Sequence, residues 1–186
     1  MISDRSSASL RRDTRGAVYV EFLVAFLPVF VFFLCLLQLA LLFSARLVVD
    51  HAAIEGARAA AVVIGDEPAP YREPTIGTHT LSKERQKAIR SAVLIALAPL
   101  ILDDTVVSVG VKVPDSTGGK ALPADAPIQP RLGEGMVRVR VEAVVVCKIG
   151  LANVIACEPF GSSALRVRTI STESAFPYQG ARYAYE

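Results

Sequence analysis

The strongest constraint on this chain is an apolar run from Phe22 to Ala45 that contains no charge, with one carboxylate, Glu21, at its entrance. At ~1.5 Å per residue, about 24 residues make roughly 36 Å of helix, enough to cross a ~30 Å hydrocarbon core. Before the run lie residues 1–16 (MISDRSSASLRRDTRG), a polar, aperiodic leader carrying Arg5, Arg11, Arg12 and Arg15. The far flank balances Arg46 and Arg58 with Asp50 and Glu55. Arginine excess ahead of the span orients the leader to the cytoplasm and the remainder outside. The run exceeds the roughly 7–15-residue core of a cleaved secretory signal, and no A-x-A site closes it, so it reads as retained in the membrane.

Within the run, Pro28 removes one helical hydrogen bond and should bend the axis, which membrane helices tolerate. Gln38 and Ser44 are its other strongly polar side chains, available to a neighbouring helix. Past Ala45 no breaker occurs before Gly65. The pattern therefore predicts one helix over residues 17–64, ~70 Å long. Its distal part repeats small residues every fourth position, Ala52, Gly56 and Ala60 beside Ala53, Ala57 and Ala61. Such spacing lets another element approach closely, whether a neighbouring helix or the chain's own head. His51 stands near Asp50 and Glu55, but no second histidine or cysteine follows at ligand spacing, so this is a solvated helix face.

Mean hydropathy is +0.43 with 20% charged residues. Most of that excess lies in the first ~60 residues, leaving residues 65–186 as the length of one small domain. Gly65 to Thr80 is rich in proline and glycine and reads as a loop, with Thr80 or Ser82 placed to cap the next helix. Lys83 to about Leu97 has helical apolar spacing, and Pro99 follows its end. Thr105–Val113 alternates, with Val107, Val109, Val111 and Val113 on one face. Residues 114–135 read as a long loop. Met136–Cys147 alternates again, and Ala164 to about Thr172 makes a third strand. The fold expected is α+β: a long amino-terminal transmembrane helix extending into a small head of one helix and a three-stranded antiparallel sheet.

Lys112, Arg138, Arg140, Arg166 and Arg168 can share the outer face of that sheet, either as a basic strip for an acidic partner or as a solvated face relieved by Glu142 and Glu173. Cys147 and Cys157 bracket KIGLANVIA. In an oxidising space outside the cytoplasm they can form a disulfide, the alternative being two buried thiols. Cys35, inside the span, stays reduced. No Ser-His-Asp order, phosphate-binding glycine loop, paired carboxylates or metal cluster occurs, so catalytic, cofactor and metal sites are assigned to no residue. The basic residues form no block suited to nucleic acid.

Gly16 followed by Ala17-Val18-Tyr19-Val20-Glu21 and an apolar run resembles the processing site of type IV pilin-like precursors. The longer pattern is Arg15-Gly16-Ala17 through Val20-Glu21-Phe22, then Leu27-Pro28, then Ala53-Ile54-Glu55-Gly56-Ala57-Arg58-Ala59-Ala60-Ala61. It resembles the TadE-like family, minor pilins or pseudopilins of the tight-adherence (Flp, type IVc) pilus machinery. The resemblance covers about residues 15–62; the head matches in general layout alone.

It implies cleavage after Gly16 by a prepilin peptidase on the cytoplasmic side, leaving Ala17 as the amino terminus and Glu21 as the fifth residue. In that family pattern the Glu21 carboxylate pairs with the terminal amine of a neighbouring subunit. Read from the residues alone, Glu21 is equally an interfacial group on the first helical turn, favoured there by ~0.3–1 kcal/mol. The implied partners are the peptidase, major and other minor pilins, an inner-membrane assembly platform and the lipid bilayer. The implied location is the bacterial inner membrane, single-pass, with the head periplasmic or carried into a pilus. The alternative is an uncleaved, signal-anchored scaffold or partner-binding component of an envelope complex.

Overall fold

A computed structural model describes residues 15–66, 69–72, 81–113 and 136–177. Residues 1–14, His79, the Thr80 cap and the 114–135 loop lie outside them. Helix α1 spans Arg15–Val63, 49 residues, and continues through Pro28. It changes environment along its length. No residue from Val18 to Leu37 is buried, whereas Gln38, Ala45, Val49, Ala52, Ala53, Ala57, Ala60, Ala61 and Ile64 are. Over Val18–Val63 the helix is long and apolar enough to cross a membrane, and its most apolar window, of mean hydropathy 2.7, has no share buried in the protein.

After a short 3-10 turn at Ala69–Tyr71, helix α2 spans Lys83–Ala96, its first turn capped by Ser82 Oγ, which accepts from Arg85 N at 3.3 Å. Pro99 does not end the helical region. It opens a further short helix, α3 (Ala98–Leu102), because proline fits the first helical positions, where no N–H is required. Strand β1 is Val106–Lys112 and β2 is Met136–Val146. Helix α4 (Gly150–Ala156), β3 (Glu158–Pro159) and β4 (Arg166–Pro177) complete the described elements.

The class is α+β, as the sequence predicts, but the sheet has four strands rather than three. Its order is β1-β2-β4-β3, all pairs antiparallel. The added strand, β3, is two residues long and pairs Glu158 with Val167 and Pro159 with Arg166. Strand β4 runs on to Pro177, five residues past the predicted end.

Val137, Val139, Val141, Ala143 and Val145 of β2 point inward and are buried. The predicted inward set of β1 is corrected at Val107. The register shifts between Val106 and Ser108, so Val106 packs on the core while Val107 stays 45% exposed. A bulge inserts one residue and reverses the side-chain phase beyond it. The β4 arginines also depart from expectation. Register puts Arg168 opposite the inward Val145, on the α1 side of the sheet and not on the outer face.

The core forms where this inner face and α2 meet the distal half of α1. A Cβ at Gly56 would stand 2.6 Å from Val93 Cγ2 and 3.2 Å from Val139 Cγ1, so glycine is what lets α2 and β2 both reach α1 here. At the far end of α1 the fully buried Arg85 donates from its guanidinium to the carbonyl oxygens of Val63 and Asp66. Its guanidinium carbon lies 4.3 Å from the centroid of the Tyr71 ring. One cation thus satisfies the last carbonyl of the helix and one in the turn beyond it. Cys147 and Cys157 are joined as a disulfide, with Cα atoms 6.6 Å apart, and Cys35 is a free thiol.

Two outcomes follow for the folded chain in detergent. Gly56→Ala should cost up to about 2 kcal/mol, an overpacking penalty of ~1–3 less the ~1 that alanine gains in a helix. In a Val93→Ala background the same substitution should cost nothing. Thermal unfolding followed by circular dichroism measures both, and a Gly56→Ala protein at least as stable as the parent would overturn the packing argument. Alkylation of the unfolded chain should label Cys35 alone before reduction and all three cysteines after it, equal labelling contradicting the bridge.

Candidate functional site

The residues singled out by the sequence occupy two distant parts of α1. Arg15, Gly16 and Ala17 form its first turn. Glu21 follows one turn later and is exposed, with no hydrogen bond or ion pair to another described residue. Beside it Phe22, Phe26 and Phe30 make a stacked ladder along one helix face, with centroids 5.4 and 5.6 Å apart. That spacing is the i, i+4 neighbour relation of a helix. The proximal half of α1 is thus an apolar surface with one carboxylate at its end, and every residue from Val18 to Phe30 is exposed.

Ala52, Ala53, Gly56, Ala57, Ala60 and Ala61 lie ~50–60 Å further along the axis. All are buried, and the alanines are no more than 1% exposed. Their neighbours are the chain's own α2, β2 and β4. Of the two partners the spacing allows, the head fills this stripe, so it offers no open face to a second subunit. Small residues serve here to bring the sheet and α2 close to the α1 backbone.

The outer sheet face is an ion-pair ladder. Lys112 Nζ lies 2.8 Å from Glu142 Oε2, while Arg140 Nη2 and Arg138 Nη1 approach the Glu173 carboxylate at 2.7 and 3.4 Å. The five-cation strip therefore reduces to three partnered cations. Arg166 instead donates to the carbonyl oxygens of Val154 and Cys157.

The membrane-proximal end of the head centres on Gln38. This side chain is 1% exposed, and its Oε1 accepts from Ile149 N at 3.0 Å. Predicted as a group for a neighbouring helix, it binds the chain's own head, 111 residues away. Ile149 directly precedes α4, and the disulfide closes the same segment, so hydrogen bond and disulfide together fix α4 to α1. Next to it Lys148 Nζ donates to Asp103 Oδ2 and to the Asp103 carbonyl, both at 2.7 Å. The hydrogen bonds from Lys148 and Thr105, with the Lys148 charge, hold the Asp103 carboxyl below its ordinary value. Sequence reading missed α4, although KIGLANVIA contains no proline and has glycine only near its start.

Leu39, Leu42, Phe43 and Arg46 of α1 face Ile155, Ala156 and Arg168 across a groove of about 580 Å³. Both arginines are exposed and have no ion-pair partner among the described residues. The arrangement offers packing surfaces and fixed charges. Among the described residues no group of three or more His, Cys, Asp or Glu side chains is placed to hold a metal ion.

No curated protein and no solved structure matches the chain. The family model that does match is described as TadE-like protein. Its match covers residues 16–58, from Gly16 in the first turn of α1 to Arg58 in the small-residue stretch, and over that length the chain is similar to that family.

Proposed function

We propose that this protein is a minor pilin or pseudopilin of a tight-adherence (type IVc) pilus, cut after Gly16 by a prepilin peptidase and assembled through α1. The observation that carries this reading is the exposed proximal half of α1, coinciding with the TadE-like match. Residues 18–37 are stable unburied only where lipid or other apolar surface surrounds them. Lipid serves before assembly; in a filament, neighbouring pilin helices must take over. Removing so much apolar surface from water at ~25 cal/mol per Å² is a large driving force for staying packed.

Cleavage supplies the remaining element. It releases an amine at Ala17, four residues and ~6 Å along the axis from Glu21. A carboxylate carried without a partner into an apolar filament core is costly, so an amine from the adjacent subunit stabilises Glu21 as the helix moves from lipid into the filament. Ala17 and Glu21 lie about one turn apart on the same face, so a neighbour whose terminal amine reaches Glu21 is staggered by about one turn. With the distal small residues occupied by the head, lateral contact falls to the face bearing Glu21 and the aromatic ladder. On this reading the protein performs no catalysis. Its partners are the peptidase, the major and other minor pilins, and an inner-membrane assembly platform, with the head outside the cytoplasm.

One observation favours the rival, an uncleaved membrane-anchored scaffold. Gly16 is already helical, and a peptidase must unwind that turn to reach the bond. Glycine makes such unwinding inexpensive, by ~1 kcal/mol relative to alanine.

Amino-terminal sequencing of protein from cells should begin at Ala17, and Gly16→Leu should leave a precursor about 16 residues longer that fails to assemble. A mature chain starting at Met1, with assembly intact, supports the scaffold instead. Glu21→Ala should be cleaved and inserted normally yet be lost from sheared filaments by roughly tenfold or more, the loss expected for an unpaired charge worth at least ~1.4 kcal/mol. Normal incorporation of that variant would remove Glu21 from the assembly contact.

A further inference from the structure

We infer that α4 is a second membrane contact: a foot of the head that lies in the headgroup–acyl boundary of the bilayer on the side where the head sits. The inference rests on the reading that α1 spans the membrane.

The helix has an apolar face that no described residue covers. Ala152 is fully buried, while Leu151, Val154 and Ile155, at i, i+3 and i+4, are 55%, 58% and 69% exposed. No charged residue occurs in Gly150–Ala156. A water-facing helix of a small head would carry polar residues on that side. Phe160 and Leu165, on either side of the turn after β3, extend the exposed apolar surface.

Its level along α1 is fixed by contacts. Ile149 N is bonded to Gln38, and Ile155 shares a groove with Leu39, Leu42 and Phe43. From Val18 to Gln38 the helix rises ~30 Å, one hydrocarbon thickness. Val31, Leu34 and Cys35 are half-buried at helical spacing below Gln38, so the head reaches beside the last turns of the span. The exposed face of α4 is therefore continuous with the bare apolar half of α1.

Charge and rigidity fit the same partner. Arg46 and Arg168 line the groove, and no acidic side chain does. Arg46 stands ~12 Å beyond Gln38, where a guanidinium on its long stem reaches lipid phosphates. The disulfide, the Gln38 bond and the Arg166 bonds to Val154 and Cys157 hold the foot in one pose. A phospholipid surface meets apolar side chains and cations in that order along the membrane normal.

The chain contains no tryptophan, so single Trp substitutions report depth without background from other indoles. The full chain, reconstituted in phospholipid nanodiscs, would carry Leu151→Trp or Ile155→Trp as foot reporters. Phe30→Trp reports the span, and Val62→Trp reports the distal head, ~36 Å from Gln38 along α1. All four positions are exposed, so the fold should tolerate them.

Acyl-brominated lipid should reduce foot and span emission to roughly half, with little effect of aqueous iodide, as expected for side chains ~5–10 Å into the boundary. Val62→Trp should show the reverse. Foot emission quenched by iodide and not by brominated lipid overturns the inference, leaving a water-facing helix. Foot emission insensitive to both also overturns it, in favour of cover by another protein copy. Should Phe30→Trp escape brominated lipid, the spanning reading fails first and the foot with it.

Discussion

Everything distal to Gln38 depends on how closely α2 and the sheet approach α1 at Gly56. Val93 and Val139 both reach the space a side chain would fill there, and the flanking alanines keep the helix surface low on the same side. Burial of small residues by facing valines gives dispersion contacts at short range with little side-chain entropy to lose. Side-chain size, more than hydrophobicity, divides the helix. Its proximal half is built from phenylalanine and leucine, which project far from the axis and suit a fluid apolar surround. The distal half is built from alanine and glycine, which suit a rigid neighbour.

Two buried polar side chains fix where the head sits along this rod. Gln38 holds Ile149 at the lower end, and Arg85 gathers the carbonyls of Val63 and Asp66 at the upper end. Buried polar groups are costly when unpaired, and among the described residues no buried side-chain nitrogen or oxygen lacks a partner. A slip of the head by one helical turn would orphan both clamps at once. The valine–alanine contacts alone, being repetitive, would resist such a slip far less.

Much of this was legible in the chain because it rests on periodicity. Residues 17–64 hold no breaker beyond the tolerated Pro28, and α1 follows; β2 alternates strictly, and its valines are the core; Ser82 caps α2. What escaped depends on contacts between distant residues. Helix α4 is seven residues long, apolar on its open side, and held by a disulfide and a side chain from α1, so no local pattern declares it. Strand β3 exists only because β4 offers it an edge. The bulge at Val107 and the inward turn of Arg168 reverse alternations that looked regular, since register is set by the partner strand. The four-residue spacing of Ala52–Ala61 specifies a close neighbour without specifying which. Gly16 and Glu21 stand out in the sequence because their spacing is local; on the proposed reading, the partner that completes them belongs to another molecule.

The uninterrupted course of α1 has a mechanical consequence. No linker separates the bare half of the helix from the half that carries the head, so rotation and translation of one end are passed directly to the other. Each residue turns the helix by ~100°, and the seventeen steps from Glu21 to Gln38 therefore set the compass bearing of the head relative to the carboxylate. Length between these two residues acts as an angle. A single inserted residue would leave every contact of the head intact and still point it at a different neighbour.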